Sequence, residues 1–302
     1  METLIIAGDR QLFGFRVVNF PQGVGEAFAA LAKKVEAGSS RSCYGISTMD
    51  DQAGVLYYAA MEEIFPGEAE KYNCERYTIH KGEYLAVTVH NWLTQTHCIK
   101  DVLHEMMQDR RFDNTSPCIE WYKSEREMVC LLRVHPAKVL LVNAEHAAAE
   151  LMSLLLPLNQ KQLNAVPFAG SWTAAQLAVH VTKSNRAIAQ AMEMDGQQVD
   201  RDPAARAAEL KTVFLDFSVK FDSPAFIVPE NHAYSKEAVV YGLQSSNLLL
   251  QQYAATANTN EMINLPALGE ITKLELLHFV CYHIQRHIYQ LQNILRYVQA
   301  TL

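Results

Sequence analysis

The feature that most constrains this chain is a change in the period of its apolar residues near Pro136. Before it, apolar runs are short and strand-like; after it, they recur every three to four residues over long stretches. Strands alternate with a period of two and helices repeat about every 3.6 residues, so one element cannot satisfy both patterns. Two domains are therefore expected, one with a sheet over 1–135 and a helical one over 139–302, with Val134-His135-Pro136-Ala137-Lys138 as the linker. At 302 residues each half is long enough for its own core.

In the first half, Leu4–Ala7 and Phe13–Val18 read as strands. A helix follows from about Gly23 to Glu36, with Phe28, Leu31, Ala32 and Val35 on one face and Gly38-Ser39-Ser40 closing it. Tyr44-Gly45-Ile46 and Val55–Ala60 are strands divided by the turn-forming Asp50–Gly54. The order then repeats: strands Arg76–Ile79 and Tyr84–Val89, a helix from about Thr96 to Asp109 with Ile99, Val102, Leu103 and Met106 as its stripe, and strands Cys118–Tyr122 and Met128–Val134. The expected class is α+β, built from pseudo-duplicated β-α-β-β units with a concave face between them.

Tyr44-Gly45-Ile46, Tyr57-Tyr58-Ala59-Ala60-Met61-Glu62, Ile79–Tyr84 and Pro117-Cys118-Ile119-Glu120-Trp121-Tyr122 occur in the order that resembles the GyrI-like effector-binding domain, also the ligand-sensing part of some AraC-type and MerR-type regulators. The resemblance covers roughly residues 1–135 and implies a small-molecule groove in which a carboxylate at Glu120 meets a cationic, aromatic ligand. A carboxylate walled by Trp121, Tyr122 or Tyr58 favours a cation through its charge and through the ring quadrupoles. Alternation prevents Glu120 and both its neighbours from facing one groove, and a surface carboxylate is the alternative. Regulators of this type carry a helix-turn-helix ahead of the sensor; here the chain opens on a strand and no basic recognition helix follows, so direct DNA binding is not expected.

In the second half, helices are expected at about Val142–Leu156, from Thr173 to Asp195-Gly196, at about Asp202–Val219, at about Lys236–Ala257 and from Thr272 to about Gln299. Thr173 with Gln176, and Thr272 with Glu275, have capping-box spacing. This domain is expected to be an all-α, four-helix-type bundle. His283 and His287 lie four apart on the last helix and stack on one face, a bidentate grip suited to zinc or nickel. His180 lies near the face marked by Leu177 and Val181, so it can point into the bundle as a third ligand. Gln290 returns to the face of His283, where it can bond a metal-bound water or a ligand histidine, or cap a neighbouring carbonyl. Trp172 reads as a packing anchor and Cys281 as structural.

Gly170-Ser171-Trp172-Thr173, Gln176–His180, Glu270-Ile271-Thr272 and His283–Leu291 together resemble the DinB-like superfamily, over roughly 140–302. The resemblance implies a four-helix-type bundle of unusual connectivity whose three metal ligands map onto His180, His283 and His287. It further implies a protein that transfers low-molecular-weight thiols, isomerises small molecules or hydrolyses amide-type bonds.

A formal charge of -7 without any basic run argues against nucleic acid or an anionic membrane as partner. No apolar run approaches the ~18 residues of a membrane span, and the start lacks the features of an export signal. The six scattered cysteines, with no Cys-x-x-Cys pair, are expected to be reduced thiols of a cytoplasmic protein. Two functions follow. One is a metal-dependent transferase or hydrolase of a small molecule. The other is a non-enzymatic sensor or sequestering protein for a drug-like cation, with a structural metal. A homodimer is compatible with either.

Overall fold

Pro136, expected in a linker, is instead the first residue of a helix, because proline's fixed φ suits that position and its missing N–H would have no helical partner there. The computed structural model describes residues 1–35, 41–49 and 54–301. The chain divides into two units, Met1–His135 and Pro136–Leu302. The expected helix stop at Gly38-Ser39-Ser40 and the turn residues Asp50 to Ala53 lie outside the described residues.

The first unit runs β1 (Glu2–Ile6), β2 (Arg10–Arg16), α1 (Val24–Lys34), β3 (Cys43–Met49), β4 (Val55–Glu62), α2 (Glu68–Lys71), β5 (Glu75–Ile79), β6 (Gly82–His90), a 3-10 turn at Trp92–Thr94, α3 (Thr96–Met106), β7 (Cys118–Tyr122) and β8 (Glu127–Arg133). All eight strands join one sheet in the order β1-β6-β8-β7-β3-β4-β2-β5. Every pairing is antiparallel. The order reads the same from either end once strands of the first pass are exchanged for those of the second. Each pass is thus β-β-α-β-β, which agrees with the eight strands read from the sequence and adds one to the β-α-β-β unit. Its first strand crosses over to edge the other pass: β1 on β6, β5 on β2. The central seam joins β3 to β7, with Gly45 opposite Glu120.

Alternation gives the sheet two different faces. One packs Leu12, Tyr44, Ile46, Ala60, Ile119 and Leu131, with Tyr58 and Trp121 at its margin. The other packs Val17, Tyr57 and Ala59 against Val24, Ala27 and Phe28 of α1, and Phe13 and Met61 against Leu31. Ala32, expected in that stripe, is exposed: it lies at the margin, about 40° beyond Phe28 and about 100° from Leu31, the buried residue of α1.

The second unit comprises α4 (Pro136–Leu155), α5 (Gln160–Leu163), α6 (Ala174–Met192), β9 (Gln197–Gln198), α7 (Ala207–Leu215), a 3-10 turn at Ala225–Ile227, α8 (Lys236–Thr256), β10 (Glu261–Leu265), β11 (Gly269–Thr272) and α9 (Lys273–Thr301). The long helices α4, α6, α8 and α9 share one core that includes Leu151, Leu177, Leu250, Ile284 and Leu291. Both capping boxes form: Thr173 with Gln176, and Thr272 with Glu275, each with reciprocal bonds of 2.9–3.1 Å. α7 is shorter than expected because aspartates turn the chain at both ends. Asp202 accepts from the Ala204 N–H, and Asp216 from the N–H and hydroxyl of Ser218. The helical pattern also hid a three-stranded sheet, β11-β10-β9. Among the described residues no helix is long and apolar enough to cross a membrane.

Candidate functional site

Three imidazoles meet between α6 and α9. His180 is one turn and a half into α6; His283 and His287 stack four residues apart on α9. His283 Nε2 lies 3.2 Å from His180 Nε2 and 3.0 Å from His287 Nε2. All three are buried. Among the described residues this is the one group of three histidines, cysteines or acids whose donor atoms lie within 4.8 Å of one another.

The other ring nitrogens decide which lone pairs face inward. His180 Nδ1 is 3.1 Å from the Ile227 carbonyl, which can only accept, so Nδ1 carries the proton and Nε2 is bare. His287 Nδ1 likewise donates to the side-chain oxygen of Gln290 at 3.0 Å. Burial, joined by the nearby charge of Lys183, lowers the His180 pKa against the opposing pull of the Ile227 bond. Burial and then its two neighbours hold His283 well below the ordinary value, and burial and then His180 push His287 down to about 3. At neutral pH the cluster is three neutral imidazoles.

This donor set fits a divalent metal. Two metal–nitrogen bonds of about 2.0–2.1 Å meeting near the tetrahedral angle hold their nitrogens about 3.3 Å apart, close to the spacing found. Without a cation the arrangement is frustrated. His283 Nε2 can offer a proton to only one of two bare nitrogens, and its Nδ1 is buried without a partner. The walls are aromatic: Trp172 lies 4.9 Å from the His180 ring, Phe279 stacks at 5.1 Å on His283, and Phe214 meets Phe279 edge-on at 4.8 Å. Trp172 thus touches a histidine as well as packing at the helix entrance. Cys281 faces elsewhere, its thiol on the Leu140 carbonyl.

The segment from α7 to α8 covers the flank of α9 beside the histidines. Arg286, between His283 and His287, donates to the carbonyls of Phe214, Asp216 and Val219. Lys183 of α6 donates to the Val228 carbonyl and pairs with Glu230. With the Ile227 bond to His180, every one of these holds comes from the helices that carry the histidines. Sequence reasoning missed Arg286 and Lys183; their signal was only their spacing from the histidines, one residue and three.

In the sheet unit, Glu120 is buried on the α1 side of β7. It accepts from Tyr57 Oη at 2.7 Å and from Tyr122 Oη, and the two hydroxyls lie 3.0 Å apart. Phe20 stacks on Tyr57 at 4.9 Å, while Phe28 and Trp92 close on Tyr122 at 5.4 and 4.7 Å. Burial raises the Glu120 pKa despite the two hydroxyls. The structure does not bring Tyr58 and Trp121 to this carboxylate: both lie on the opposite face, Tyr58 against Tyr77 and Trp121 against Tyr44 and beneath Arg10. Tyr122 two residues on shares the Glu120 side, as alternation requires. Gly45 makes the room: a Cβ there would stand 1.9 Å from Tyr57 Oη and 2.9 Å from Glu120 Oε2.

No curated protein matches the chain. Solved structures similar to it include TT2238, a four-helix bundle protein, at 21% identity over 52% of this chain and 98% of that one, TM-score 0.35. Others are SAV2435 bound to tetraphenylphosphonium (13% identity, 44% and 93% covered, TM-score 0.33) and YfiT from Bacillus subtilis, described as a probable metal-dependent hydrolase with an unusual four-helix bundle topology (15% identity, 53% and 86% covered, TM-score 0.35). The model of the DinB superfamily matches residues 143–291, which hold all three histidines.

Proposed function

We propose that the helical domain, over 139–302, binds one divalent ion, zinc or nickel, through Nε2 of His180, His283 and His287, and serves as a metal-dependent transferase or hydrolase of a small molecule. The observation that supports this reading is the convergence of three neutral, bare-nitrogen imidazoles from two helices. An ion in a three-histidine site supplies Lewis acidity with its charge undiminished by anionic ligands. The chain's own groups do the rest. Ile227 and Gln290 fix the ring orientation and tautomer of His180 and His287, and Trp172, Phe279 and Phe214 exclude water. In the same reading residues 1–135 are a GyrI-like small-molecule-binding domain, in which Glu120, Tyr57 and Tyr122 receive a lipophilic cation.

The burial of the triad favours a second reading, in which the ion stiffens the bundle and the protein senses or sequesters its ligand without chemistry. The two differ in whether an outside ligand reaches the metal. Metal analysis of protein expressed with zinc or nickel should give one ion per chain, and none in His283→Ala; wild-type protein without stoichiometric ion would sink both readings of the bundle. For the sheet domain, tetraphenylphosphonium should raise the melting temperature of wild-type protein and not of Glu120→Ala. An unchanged wild-type melt counts against the cation site.

A further inference from the structure

We infer that the substrate of the metal centre is a neutral molecule bearing an aromatic or similarly apolar group, recognised by the phenylalanines of the segment that covers the histidines; this rests on the metal-dependent reading above. Four of the chain's twelve phenylalanines (Phe214, Phe217, Phe221 and Phe226) fall within thirteen residues of that segment. Three of them are far from buried: Phe217 is 43% exposed, Phe221 46% and Phe226 62%. Side chains so exposed contribute little to folding, and a local concentration of them marks a contact surface.

Their position gives that surface a purpose. The segment is held by its backbone carbonyls, to Arg286, Lys183 and His180, and by the Glu230 side chain on Lys183, so the exposed phenylalanines are not what holds it down. Phe226 adjoins Ile227, whose carbonyl takes the His180 proton. Phe217 lies flat on Tyr289 of α9 at 4.2 Å, and Phe221 sits under the Arg286 guanidinium at 4.7 Å. Inward of these, Phe214, Phe279 and Trp172 continue the aromatic lining to the imidazoles.

Charge points the same way. The two cations beside the histidines are engaged, Arg286 by three carbonyls and Lys183 by Glu230 and a carbonyl. Neither is left to pair with a phosphate or carboxylate. On the segment, Asp216 is turned onto Ser218, and Lys220 is its one cation, exposed beside Asp222. A neutral, apolar molecule gives up no ion pair on this approach, whereas an anion would meet two aspartates against the single Lys220.

The test uses the full chain loaded with cobalt(II), whose visible absorption responds to an added ligand. Imidazole and 4-phenylimidazole coordinate through the same nitrogen and differ by one ring. The phenyl ring should tighten binding roughly tenfold or more in the wild type, from the apolar area it buries. The same ring carrying a para-carboxylate should lose that gain. In Phe217→Ser/Phe221→Ser and in Phe226→Ser the gain should shrink by roughly threefold or more, with imidazole affinity, cobalt stoichiometry and melting temperature unchanged. Cobalt binding with no phenyl gain, or a gain that survives both variants, overturns this inference and leaves the metal site standing. A dimer that dissociates when the phenylalanines are changed, read by light scattering, overturns it also, by making them an interface. Failure to bind cobalt, or a spectrum that neither ligand alters, removes the catalytic reading and this inference with it.

Discussion

Replacing Gln290 with leucine tests the tautomer logic of the metal centre most directly. The His287 Nδ1–H has one partner, the Gln290 side-chain oxygen at 3.0 Å, within a buried ring. A buried N–H left unpaired costs about 1–3 kcal/mol. In the metal-free protein the ring escapes that cost by moving its proton to Nε2, which donates to His283 Nε2 at 3.0 Å while His283 shifts its own proton to Nδ1, a position unpaired either way. Once Nε2 is engaged by an ion, the proton has no other place than Nδ1, so the penalty falls on the loaded state alone. Gln290→Leu should therefore weaken metal binding by about 10- to 100-fold while barely changing the stability of the metal-free chain. Competition against a chelator of known zinc affinity reads the first quantity, and urea unfolding in the presence of excess chelator the second. Gln285→Leu is the control, since Gln285 is exposed and on another face of α9. Equal affinities for wild type and Gln290→Leu would refute the argument that this hydrogen bond selects the ligating tautomer.

Three further outcomes follow from groups outside the triad. Gly45→Ala drives a methyl into Tyr57 Oη and Glu120, so the sheet domain should lose about 2–4 kcal/mol in urea unfolding, from overpacking and a displaced hydrogen bond, and its cation-induced melting shift should vanish. Glu120 has a folded-state pKa raised by burial, so its ionisation opposes folding: stability from this group is full below the unfolded value and is lost as pH rises through the raised one. Glu120→Gln should accordingly gain stability over wild type as pH increases from 4 to 7, and a flat difference between the two curves contradicts the assignment. Glu275 is the opposite case. Burial pushes its pKa up, but the Arg201 fork and the N–H groups of Thr272 and Arg206 prevail and hold it low, so its contribution is present above the unfolded value and fades as pH falls through the lowered one. Arg201→Ala should cost about 1–2 kcal/mol at pH 7 and move the acid-unfolding midpoint to higher pH.

What could be read from the sequence was local. The switch of period at Pro136, both capping boxes and the four-residue spacing of His283 and His287 each depend on residues within one or two helical turns, and each appears in the structure. What escaped depends on partners distant in the chain. The exchange of β1 and β5 is set by the whole sheet. The short β9 forms only because Gln197 and Gln198 reach β10, some sixty positions on. The neighbours of Glu120 were legible in principle, because Tyr122 is two residues away; Tyr57 was not, because choosing it over Tyr58 requires the register of β4 on β3, which places Tyr57 opposite Ser47.

The symmetry of the sheet explains why its candidate site holds one carboxylate. Along the seam Cys43 faces Tyr122 and Ser47 faces Cys118, so exchanging β3 with β7 maps the pairing onto itself and leaves Gly45 and Glu120 on the axis. A strict duplication would place the same residue at both positions. Two glutamates there would put two carboxylates against each other in a buried space, raising the pKa of one of them further and leaving it protonated. A glycine at one position instead frees the volume that Tyr57 Oη occupies, and this hydroxyl, with that of Tyr122, supplies the hydrogen bonds the remaining carboxylate needs once it is out of water. The two-fold frame thus sets one anionic position per chain, at its centre, and the departure from symmetry at Gly45 is what makes that position habitable. Gly45→Ala and Glu120→Gln perturb the same point from opposite strands, so their effects should be strongly non-additive: with the buried charge gone, the added methyl displaces a weaker bond and should cost measurably less than in the wild type.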